Sequence, residues 1–105
     1  MRHVNKIYQE IAQLEYNQSA DCVELRLYLL SLMREFVSCY TDIKDKQKAA
    51  EILKSFRELE NLYKSFTALT FEPGRNYKAQ FEFAKALIGD QMERISPAFQ
   101  MSRVA

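Results

Sequence analysis

Residues 66–81 read FTALTFEPGRNYKAQF and contain the chain's only adjacent Pro and Gly. Pro73 has no amide proton and disfavours a helical Glu72, while Gly74 takes a positive φ without steric cost. A helix arriving through Phe66 therefore finishes by about Phe71, and another begins at Arg75 or Asn76. FEPGRNY reads as a helix–helix corner. Such corners are rare here, because 105 residues include two Gly, two Pro and no long Ser, Thr or Asn tract. A chain with so little turn material has long elements, and that points to helices.

Upstream of the corner, Ile52, Phe56, Leu59, Tyr63 and Phe66 recur at alternating intervals of four and three. This heptad seam, flanked by Leu53, Leu62 and Leu69, suits packing at a shallow crossing angle in a bundle or coiled coil. Thr41 and Asp42 carry side-chain oxygens that suit the first free N–H groups of a helix. The third helix is therefore expected from Asp42 to Leu69, about 40 Å long. On its outer face Lys54 with Glu58 and Glu60 with Lys64 form opposite-sign pairs four apart, the mark of a solvated surface.

Downstream, Tyr77, Phe81, Ala84, Ile88, Met92 and Ile95 share one face of a fourth helix. Phe83 lies about 120° from that stripe with Leu87 between, either as peripheral core or as an exposed patch for a partner. Gly89 is a candidate kink. Ser96 and Pro97 are expected to end the helix. Residues 1–96 then form the helical bundle, and 97–105 form a short apolar tail whose Phe99 and Met101 dock on the bundle or on another chain.

Nearer the N-terminus, Val4, Ile7, Tyr8, Ile11 and Leu14 mark a short first helix from about Val4 to Tyr16, near 20 Å long. Asp21 followed by Glu24 resembles a capping box and opens a second helix, about Asp21 to Tyr40. Its main face carries Cys22, Leu25, Leu29, Leu32, Met33, Phe36 and Tyr40. A second apolar strip, Val23, Leu27 and Leu30, leaves two readings open: a central helix covered on both sides within the chain, or a helix whose second strip meets another chain. The first and third helices cannot match in length, which is a separate pointer to self-association or a partner.

Composition limits the classes of function. Apolar residues are 48% and charged residues 28%, an ordinary globular balance for one domain. Fifteen basic and fourteen acidic residues are interleaved, so no charge block advertises a polyanionic partner. The N-terminus MRHVNKIYQEIAQ lacks the apolar run of a secretory signal, and the longest unbroken apolar run, Leu27 to Leu30, is far below the roughly 18 residues of a membrane span. A cytoplasmic protein without a membrane partner is expected.

No chemistry-bearing motif stands out. Metal sites need several converging ligands, and the chain has one His and two Cys, the latter roughly 25 Å apart if one helix holds both. CxxC, HExxH, EF-hand and Glu-x-x-His patterns are absent, so no metal, cofactor or enzymatic activity is expected. The corner offers one alternative. The free N–H groups at Asn76, with Lys64, Arg75 and Lys78, form a candidate anion contact. Arg75, Lys78 and Lys85 come close to sharing a face for nucleic acid, although Glu82 sits among them.

The sequence thus predicts an all-α, single-domain antiparallel four-helix bundle with a long third helix, complete in itself or completed by dimerisation. The expected function is that of a small helical interaction module, a regulator, adaptor, inhibitor or chaperone-like protein that binds a partner or forms a homodimer. Val23, Leu27, Leu30, Phe83, Phe99 and Met101 are its candidate interface. The alternative is a nucleic-acid-binding subunit of a larger assembly that uses the Arg75, Lys78 and Lys85 face.

Overall fold

The computed structural model describes the backbone of residues 2–104 and the side chains of residues 4–95. Four helices follow one another: α1 (Arg2–Gln13), α2 (Ala20–Asp42), α3 (Lys46–Thr67) and α4 (Lys78–Val104). There is no strand among the described residues. Each helix packs against the next, and α4 returns against α1. One hydrophobic cluster draws on all four. Val4 and Ile11 come from α1, Leu25, Leu29, Leu32 and Phe36 from α2, Ile52, Leu59 and Phe66 from α3, and Phe81, Ile88 and Ile95 from α4, all buried.

The helix ends differ from the expected ones for identifiable reasons. Asp21 is not the first cap of α2, because its carboxylate reaches back to accept from the backbone N–H groups of Asn17 and Gln18, at 2.7 and 2.8 Å. The helix has already begun at Ala20. At its other end α2 runs through Thr41 and Asp42, and Ile43 then turns extended. Asp45, not Thr41 or Asp42, caps α3, with its Oδ1 accepting from the N–H groups of Gln47 and Lys48.

These shifts shorten α3 to 22 residues against 23 for α2, so both span about 33–35 Å. The length mismatch persists but moves. The longest helix is α4, with 27 residues, and the shortest is α1, with 12. α4 continues through Ser96 and Pro97, where the sequence pattern placed its end. A helical proline forfeits its own backbone donor, and here the helix continues past that loss.

The core stripe of α3 is also turned relative to the expected seam. Ile52, Ser55, Leu59, Leu62 and Phe66 are buried, whereas Phe56 and Tyr63 are half-buried at the flank. α3 packs against both α2 and α4, so its buried line bisects the two contacts and does not follow the largest side chains. Tyr40, the last residue of the expected main face of α2, is 40% exposed.

The corner at residues 68–77 is tied down from several sides. Gly74 takes a φ of 85°, the left-handed conformation the turn needs. The Tyr77 hydroxyl donates to the Thr70 carbonyl and accepts from the Glu72 N–H. Phe71 packs edge-on against both Phe66 and Tyr77, with ring centroids 5.5 and 5.0 Å away. The hydroxyl of Tyr16, just beyond α1, accepts from Tyr77 N–H at 2.8 Å and donates to the Arg75 carbonyl, joining the two loops at this end of the molecule.

Candidate interaction groove between α3 and α4

The same corner that joins α3 to α4 leaves a concavity on the outer side of the pair. Leu62 and Phe66 form its buried wall on α3, and Leu69 emerges just past the end of that helix. Phe83 and Leu87 face them from α4. Phe83 is 64% exposed because it sits off the core stripe and turns towards the rim. Ala79, one turn earlier, is too small to fill the space beside it. The groove has a volume of about 480 Å³. Asn61, Ser65 and Gln80 give it a polar edge, and Glu58 is the one charged side chain that lines it.

The other expected interface residues are arranged differently. In the strip Val23, Leu27 and Leu30, Leu27 is 60% exposed and its two neighbours are half-buried. Further along α2, Val37 and Tyr40 border a second cavity with Phe36, Ile52, Leu53 and Phe56, of only about 70 Å³. The side chains of Phe99 and Met101 lie outside the described residues.

The five candidate anion contacts are dispersed. Lys64 pairs with Glu60 at 3.8 Å, and the Arg75 guanidinium pairs with Glu72 at 3.2 Å, both on the exposed surface. Asn76 caps α4 through its side-chain oxygen, which accepts from the Lys78 N–H. Lys85 is withdrawn from the group. Its ammonium donates to the carbonyls of Ala12 and Leu14 at 3.1 and 2.7 Å, where α1 ends, and lies 5.7 Å from the centre of the Phe81 ring. Free carbonyls at a helix C-terminus attract a cation, and α1 has no basic residue in its own last turn to supply one.

Among the described residues, no group of three or more His, Cys, Asp or Glu side chains is placed to hold a metal ion. None of the helices there is long and apolar enough to cross a membrane. Cys22 is buried in the core, and that desolvation, with a smaller contribution from Asp21, raises its thiol pKa above the ordinary value. Such a thiol is a poor nucleophile.

Sequence reasoning missed the concavity and two of its supports. Leu69 was visible as a flank of the seam, but its exposure depends on where α3 stops. The Tyr16 staple links residues about sixty positions apart and left no local trace. No family model matches the sequence, and no curated protein or solved structure shows significant similarity to it.

Proposed function

We propose that this chain is a small helical interaction module, a regulator, adaptor, inhibitor or chaperone-like protein, that binds through the α3/α4 groove. The observation that carries the reading is Phe83, a large aromatic 64% exposed at the edge of an apolar recess of about 480 Å³. Aromatic side chains beside a concave apolar surface are the usual anchors of protein interfaces. The polar edge of Asn61, Ser65 and Gln80 resembles the rim that surrounds such anchors. We further infer that neighbouring helices run antiparallel. The three-residue link between α2 and α3 supports this, as does the end of α1 lying on the first turns of α4 through Lys85.

The reading is tested by photo-crosslinking in cells that produce the protein. Phe83→p-benzoyl-phenylalanine is expected to give a discrete protein adduct, whereas the same probe replacing Gln9, exposed on α1, gives none. Equal labelling from both positions, or none from either, would count against the groove as a binding face.

A further inference from the structure

We propose that α1 is a strap that opens the bundle as a unit, released from α2 and α4 while those helices and α3 stay folded. Its place in the fold allows this. α2, α3 and α4 pack in sequence, each against the next, and α1 closes the ring by lying on α2 and α4. At 12 residues it is the shortest helix, and a helix of that length is marginal in water without a surface to dock on. Among the described residues it buries Val4 and Ile11 fully, but Ile7 and Tyr8 only in part. Where Tyr8 meets α4, Gly89 has no side chain to interlock with it, and the Tyr8 hydroxyl lies 3.3 Å from where a Cβ would stand.

The junctions show which way the dependence runs. The carbonyls at the end of α1 are satisfied from α4, where Lys85 donates to Ala12 and Leu14 at 3.1 and 2.7 Å. α1 has no basic residue in its own last turn to take that place. Just beyond, the Tyr16 hydroxyl donates to the Arg75 carbonyl and accepts from the Tyr77 N–H, while its ring packs 5.6 Å from that of Phe81. Together these contacts make a clasp between the end of α1 and the start of α4.

The starts of the other three helices are held from within. Asp21 folds back onto the Asn17 and Gln18 N–H groups ahead of α2, Asp45 caps α3, and Asn76 caps α4. The corner before α4 is closed by the Tyr77 hydroxyl with Thr70 and Glu72. Release of α1 therefore breaks the clasp and uncovers one side of the core, but leaves each of these caps in place.

The test is native-state hydrogen exchange of the full chain in low urea, followed at single amides by NMR. The amides of Ile7 to Ile11 are expected to show lower protection than those of Leu59 and Leu62 in α3. Their dependence on urea should also be shallower, because less surface is exposed when one short helix leaves. Lys85→Met is expected to lower the protection of α1 by roughly 5- to 30-fold, the loss of a charge-assisted hydrogen bond. Ile52, fully buried beside Phe36 between α2 and α3, supplies the control. Ile52→Val should lower the protection of Leu59 and Leu62 by roughly 2- to 10-fold and leave α1 unchanged, because that seam stays packed when α1 is released. Equal losses in α1 and α3 in Ile52→Val would mean that the bundle opens all at once, and would overturn the proposal. So would a single protection and urea slope shared by both helices in the wild type, or α1 exchange that is unchanged in Lys85→Met.

Discussion

The ammonium of Lys85 closes the C-terminal end of α1 from a neighbouring helix, a role that no local reading of the sequence contains. Its two acceptors, Ala12 and Leu14, lie 73 and 71 positions away. On the page Lys85 reads as part of a basic face with Arg75 and Lys78. In the fold the nearest unsatisfied carbonyls claim it first, because a charge-assisted hydrogen bond in a partly buried seam outweighs one to water. Lys85→Met, which keeps the aliphatic stem and removes the donor, should therefore destabilise the protein by about 1 to 2 kcal/mol in urea denaturation. An unchanged midpoint would mean that the contact contributes nothing net. Ser55 is the opposite case. It is fully buried on the core stripe of α3, and its hydroxyl has no hydrogen-bond partner among the described residues. A pattern search that counts only apolar positions passes over it, which is why the seam seemed to run through Phe56 instead.

For single elements, legibility followed the strength of the local signal. The buried face of α2 from Cys22 to Phe36 agrees with the sequence pattern residue by residue, and the stripe of α4 from Phe81 to Ile95 agrees apart from Gln91, a polar residue buried with it, because one amphipathic period dominates each. The helix ends were less legible. Three acidic or hydroxyl residues, Thr41, Asp42 and Asp45, lie between the second and third helices, and each is a credible cap. Packing decides among them, since the half-buried Ile43 lies against the core and forces the chain to turn there. Asp45→Ala should cost about 1 kcal/mol, whereas Asp42→Ala should be close to neutral by the same assay. The reverse order would place the start of α3 a turn earlier than the structure does.

The whole molecule has helices of unequal length, with α1 little more than half as long as α2 or α3. The sequence carried that inequality but misplaced it, assigning to the third helix an overhang that belongs to the fourth. It also named Phe83 as a candidate contact without revealing the recess beside it. A groove is a relation between two helices, fixed by the corner at Pro73–Gly74, by the size of Ala79 and by the point at which α3 stops. None of these alone looks like a binding feature.

The central claim, that the α3/α4 face is where this protein meets its partner, is tested most directly by placing the photo-crosslinking probe at Leu69, exposed at the mouth of the groove, and at Val37, exposed on α2. The predicted result is a discrete protein adduct from position 69 and none from position 37. An adduct confined to position 37 would place the interface on α2, and no adduct from position 69 would contradict the claim.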